Sequence, residues 1–276
     1  MASLSLHLKG LKDTDPWIGE QKVFEILNEY LRPSSTTTPA IVAQRIDQLT
    51  PMKRNELGTR KEMESPESFM WGIWSYFITL AKQIPYDHPS QDRLVAVVYA
   101  LSELPSTTVD IWESDVRIWT DLPILGPCMR EAWNSPTSPN LNPSKEKATE
   151  WINLNSFAAR LLRHPAVSWT IFAVWGLFPA LEIPSEGPKL DCDVIAAAEW
   201  IIHSGDVLLK QINQDRGVRS YFEKVGAGSL YQREDTLNTG RWQFWKRRFG
   251  EIKEQVSEDG KIAAQRAIDR MEELDT

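Results

Sequence analysis

"GRWQFWKRRF", residues 240–249, places two tryptophans, two phenylalanines and four cations in ten positions. At 100° per residue, Trp242, Trp245, Phe249, Ile252 and Val256 fall within an arc of about 80°. That is the stripe of a helix packed on a core. Arg241, Lys246, Arg247 and Arg248 spread around the flanks and back instead of forming one basic face. A base-stacking platform needs its aromatics exposed beside its cations; here they share a stripe with aliphatics. The stretch reads as a structural lock, and no nucleic-acid partner is expected.

The same helical period runs outward along the chain. Phe24, Leu27 and Leu31 begin an amphipathic segment that stops at "PSSTTTP" (33–39). A second helix through Ile41, Arg45, Ile46 and Leu49 ends before Pro51. "SPES" (65–68) is a start signal, with Ser65 as N-cap and Pro66 at the first helical position. It opens the apolar helix "FMWGIWSYFITLA". Leu94, Val95, Val97, Val98 and Leu101 form the next, and "SPTSPNLNPSKEK" (135–147) is the most evident surface loop. No run of alternating strand pattern stands out, and no repeat at solenoid periods.

The expectation is an all-α fold, one compact domain over residues 1–276 with about ten helices. Loops are placed near 33–39 and 135–147. The segments 69–81, 148–163, 166–178 and 193–211 are expected at its centre, because the two most apolar helices would each strand a face in water unless they shared a core.

Composition narrows the function classes. A net charge of -7 argues against non-specific attraction to nucleic acid or anionic membrane. Two uncharged runs, 68–81 and 165–181, fall short of the roughly 20 residues of a membrane span. Two cysteines cannot build a disulfide framework. The N-terminus lacks a signal-peptide pattern, and a cytoplasmic location is expected. "VGAGSLY" (225–231) lacks the lysine of a phosphate loop and the Rossmann spacing. The four histidines have no metal-ligand spacing. No metal and no cofactor are expected, so an enzyme here would work with acid/base chemistry and electrostatics alone. "SKEK" (144–147) fits Ser-x-x-Lys by letter but sits in a polar loop.

Two constellations carry candidate chemistry. In "EWINLNSFAARLLRHP" (150–165), Trp151, Leu154, Ala158, Leu161 and Leu162 form an apolar stripe with Asn155 at its edge. Asn153, Arg160 and His164 share the opposite side within about 40°, with Phe157 beside them. Arg160 and an asparagine can hold an anionic or carbonyl oxygen; the plain alternative is an Arg–carboxylate strut between helices, with Glu131 or Glu182 as partner. In "AAAEWIIHSGDVLLK" (196–210), Glu199 and His203 are i, i+4 neighbours and can form an oriented acid/base pair. Their face reads as polar and solvated, so a surface ion-pair cluster is the plain alternative.

The twelve tryptophans, Trp151 and Trp175 among them, supply unusual core or pocket surface. Bulky rings leave gaps suited to flat apolar ligands. "LYQREDTLNTGRWQFWKRRF", with "QDRLVAVVYALSELP" and "EWINLNSFAARL" upstream, resembles an uncharacterised family of fungal helical proteins ending in Trp-x-x-Trp-Lys-x-Arg-Phe. The likeness covers residues 90 to 250. It implies an all-α intracellular fungal protein, sometimes associated with secondary-metabolite gene clusters, and brings no catalytic residues.

The functional expectation is therefore a protein that binds a flat apolar or aromatic small molecule, as a cofactor-independent isomerase or cyclase. His203 or His164, with Glu199, would move a proton. Arg160 would steady an oxyanion, and Asn153, Asn155, Trp151, Trp175 and Glu131 would line the site. The alternative is a non-catalytic module that holds a protein partner or forms a homodimer.

Overall fold

The computed structural model describes residues 4–7, 18–53, 64–137, 142–214, 228–231 and 237–276. Residues 138–141 of the loop expected at 135–147, and 225–227 of "VGAGSLY", lie outside the described residues. The structure is 65% helical, and its described residues form ten α-helices and one small two-stranded sheet. The described residues group into two compact units, 1–134 and 135–276.

The first unit holds α1 (Ile18–Leu31), α2 (Pro39–Asp47), α3 (Pro66–Gln83), α4 (Ser90–Ser102), a hairpin β1 (Thr108–Ile111) and β2 (Ser114–Arg117), and α5 (Leu125–Ala132). Helix α3 starts where its cap signal stands: the Ser65 side chain accepts the Ser68 N–H, with Pro66 beginning the helix. Such a cap contributes about 1 kcal/mol. Its apolar faces are covered by α1, α4, α5 and β1. The indole of Trp74 donates to the Pro123 carbonyl at 2.8 Å and meets Trp119 edge-on at 6.1 Å. Trp119 in turn donates to buried Asp47 at 2.8 Å, and Lys53 pairs with the other oxygen of that carboxylate at 2.6 Å.

The second unit holds α6 (Lys145–Leu161), α7 (Thr170–Leu181), α8 (Gly187–Gln214), α9 (Thr239–Ile252), a short 3-10 turn (Lys253–Gln255) and α10 (Glu258–Leu274). Helix α8 is the hub, touching α6, α7, α9 and α10. The letters of "SKEK" are a helix start: Ser144 caps α6 by accepting the Lys147 N–H. Trp242, Trp245, Phe249 and Ile252 on α9 are all buried, as their shared stripe requires. Each apolar helix therefore finds cover within its own unit, α3 in the first and α7 against α6, α8 and α9 in the second.

The hairpin departs from the sequence reading. Its strands are four residues each, too short for a pattern test, yet β1 alternates exposed and buried as a half-covered strand should. Ile111 pairs with Ser114, leaving a two-residue loop, Trp112 and Glu113, with φ of 55° and 60°. Positive φ at both positions defines the turn normally built from Asn-Gly. For non-glycine residues that backbone costs roughly 1–2 kcal/mol each.

Candidate functional site

The two candidate constellations of the sequence meet on one carboxylate. Helix α6 carries Ser156 and Arg160; α8 carries Glu199 and His203; the two helices pack along each other. Glu199 Oε2 accepts the Ser156 hydroxyl at 2.5 Å, lies 3.1 Å from His203 Nε2, and faces Arg160 Nη1 at 3.4 Å. Arg160 Nη1 also donates to the Ser156 hydroxyl and to the Ser156 carbonyl at 3.2 Å. The partner of Arg160 is thus Glu199. Glu131, offered as that partner from sequence, is exposed on α5 in the first unit.

The face that the polar neighbours of Glu199 mark as solvated is so only in part: Asp206 is 35% exposed, paired with Arg163, and His203 21%, but the Glu199 side chain is 2% exposed and Arg160 10%. Burial alone pushes Glu199 up, but His203, Ser156 and Arg160 together hold it below the usual glutamate value. An ionised carboxylate only accepts, so the Nε2 of His203 carries the proton that points at Glu199. Nδ1 is then the nitrogen left to take up a proton. Ser156 is not a nucleophile of the serine-hydrolase kind, because its hydroxyl is fully buried and donates to Glu199 instead of to a histidine.

Helix α8 breaks beside this cluster. Ser204 has φ -142° and ψ 18°, and its hydroxyl donates to the Trp200 carbonyl at 3.0 Å, a side-chain bond that bends helices. Arg163 takes up the His203 carbonyl at 3.3 Å and pairs with Asp206 at 3.0 Å.

The other named residues have surroundings of their own. His164 is buried in the turn after α6, and its Nδ1 accepts the Ala166 N–H at 3.1 Å. Burial lowers its pKa. Asn155 is a clamp between helices, its carbonyl accepting the Trp200 indole at 2.8 Å and its amide donating to the Trp151 carbonyl at 2.9 Å. Gly176 on α7 makes that clamp fit, since a Cβ there would sit 2.6 Å from Trp200 Nε1. Asn153 and Trp151 are buried on α6. Trp175 is half-buried on α7, its ring 5.4 Å from Phe172.

Glu182 is a second buried carboxylate, and its partner is Arg241. Arg241 Nε and Nη2 donate to its two oxygens at 2.6 and 2.8 Å, the Trp245 indole adds a bond at 2.7 Å, and the Gly228 N–H one at 3.2 Å. With both oxygens occupied by donors, Glu182 is a strut and not the acid or base that its burial first suggests. Arg241, which the sequence reading set among the cations on the flanks and back of the helix, is instead fully buried in this pair. It lies only about 20° beyond Ile252 at the edge of the apolar stripe, which was the available signal. Ser156 was passed over, although it stands four residues before Arg160.

Among the described residues, no group of three or more His, Cys, Asp or Glu is placed to hold a metal, and no helix is long and apolar enough to cross a membrane. Cys128 and Cys192 are buried thiols, each pushed up to about 12, chiefly by desolvation. No curated protein and no solved structure matches the chain. A family model does match, over residues 74–249, and its description is "Protein of unknown function (DUF3632)". The chain belongs to that family.

Proposed function

We propose that the second unit binds an apolar or aromatic small molecule and rearranges it by cofactor-independent proton transfer, as an isomerase or cyclase. The observation that supports this reading is the convergence of Ser156, Arg160 and His203 on the buried Glu199 carboxylate, with His203 the most exposed of the four. In this scheme His203 Nδ1 removes a proton from a carbon next to a carbonyl. The electron pair moves to the carbonyl oxygen, where the charge of Arg160 steadies it. The proton returns from His203 to a different carbon, so the enzyme ends as it began. Glu199 orients the ring and stabilises the imidazolium, a task that needs an ionised carboxylate. A cytoplasmic enzyme of fungal secondary metabolism is the setting the family resemblance implies for this chemistry.

The test is a panel of phenolic and polyketide-like compounds, read by tryptophan fluorescence, melting temperature and deuterium exchange at substrate carbons in heavy water. Wild type should show saturable quenching and exchange. His203→Asn should keep binding and lose exchange, and Arg160→Ala should weaken both. Exchange that survives in His203→Asn, or no binding by any compound, would sink the reading. The other class, a non-catalytic interaction module, rests on a different feature, the exposed hairpin of the first unit.

A further inference from the structure

We propose that the β1–β2 hairpin tip is a docking site for a basic segment of a partner protein, with Trp112 as its aromatic anchor. Trp112 is 58% exposed, the most exposed of the large hydrophobic side chains among the described residues. Its indole N–H donates to Glu67 Oε1 at 3.0 Å, a bond that favours one orientation of the ring before any partner arrives. An exposed tryptophan oriented in this way loses less freedom on binding, which is why such residues dominate interface energetics.

Two features of the hairpin oppose its own stability. The first is the turn, where Trp112 and Glu113 both hold positive φ although neither is glycine or asparagine. The second is the register: Asp110 stands directly opposite Asp115, and both are exposed. Like charges in directly opposed positions destabilise a strand pair. The hairpin's one cation, Arg117, is committed to Asp121 at 2.6 Å. The turn strain is not offset by burial of the indole, and the acidic pair has no cation of the hairpin to relieve it. Strain kept at an exposed position points to a role outside the fold.

Charge selects the occupant. Asp110, Glu113, Asp115 and Glu67 make the surroundings of Trp112 acidic, which suits lysine or arginine on the partner. An arginine can stack on the indole face while its neighbours meet the carboxylates. The same charges repel nucleic acid, and a net charge of -7 makes a second copy of this chain a poor match.

The experiment is selection of displayed random peptides on the full chain, followed by titration of the enriched peptides. Their sequences should carry two or more lysines or arginines. Binding should weaken at least tenfold in the double variant Trp112→Asn, Glu113→Gly, and should weaken in Asp110→Asn, Asp115→Asn with a smaller salt dependence. The Asn-Gly variant should also melt higher than wild type, since it relieves the turn. Failure of any peptide to enrich, enrichment of neutral or acidic ones, or unchanged affinity in the Asn-Gly variant would overturn the proposal. So would a lowered melting temperature in that variant, because Trp112 would then be serving the fold.

Discussion

Glu182 and Arg241 meet in a two-pronged pair from which water is excluded, both side chains having no exposed surface. Fifty-nine positions separate them in sequence, so the pair ties the end of α7 to the start of α9. The Leu230 N–H bonds the Glu182 carbonyl at 3.1 Å, drawing a third segment onto the same point.

Breaking that pair from one side leaves a buried charge alone. Arg241→Met and Glu182→Gln should each lower the unfolding free energy by about 3–5 kcal/mol, measured by urea denaturation. The double variant, which leaves no buried ion, should lose distinctly less than the two singles summed. Additive losses would mean that the two residues act independently. Gly228→Ala should also destabilise, because its Cβ would lie 2.3 Å from the Glu182 carbonyl oxygen.

What the sequence could and could not reveal follows from these contacts. Helices were legible because burial imprints a period on them: the Trp242, Trp245, Phe249 stripe and the Ser65 cap stand where local patterning puts them. Arg241 was not, because its burial depends on a carboxylate 59 residues away, and periodicity holds no information about partners at that range. The polar cluster was half legible. Arg160, Glu199 and His203 were each marked by their own helix, but only the packing of α6 on α8 makes them one site and removes Glu199 from water. The hairpin escaped notice because Trp-Glu fills a turn that normally takes Asn-Gly.

Gly176 is predicted to tolerate no side chain. A Cβ would stand 2.6 and 2.8 Å from Trp200 Nε1 and Cδ1 and 3.1 Å from Asn155 Oδ1. Gly176→Ala should destabilise by about 1–3 kcal/mol through overpacking, although alanine is the better helix former. Asn155→Leu should cost a similar amount, because the buried Trp200 N–H loses its acceptor. Thermal melting of both variants checks this, and a neutral Gly176→Ala would show that Trp200 can move aside.

His164 should give the protein an acid-sensitive step. Burial depresses its pKa, so the folded state prefers the neutral ring. That stability is present above the unfolded histidine value of about 6.5 and is lost as pH falls through the lower folded value. His164→Asn can still accept the Ala166 N–H through its side-chain oxygen without taking a charge. Melting temperatures from about pH 7 to pH 5 should therefore fall further for wild type than for His164→Asn. Parallel curves would show that His164 does not contribute the step.

Glu199 predicts a second step at lower pH, with the opposite consequence for its variant. Its carboxyl is pushed up by burial but held below the ordinary value by His203, Ser156 and Arg160, so ionisation stabilises the fold. The contribution is complete above the unfolded glutamate value of about 4.3 and disappears as pH drops through the folded value. Glu199→Gln removes the charge at every pH and leaves Arg160 facing a neutral amide. It should lose about 3 kcal/mol at neutral pH, in the range for one-sided breakage of a buried pair. Wild type should approach it as pH falls below about 4. Urea midpoints at pH 7, 5 and 3.5 give the difference directly. A gap that stays constant down to the lowest pH would mean that packing, and not the charge of Glu199, joins α6 to α8.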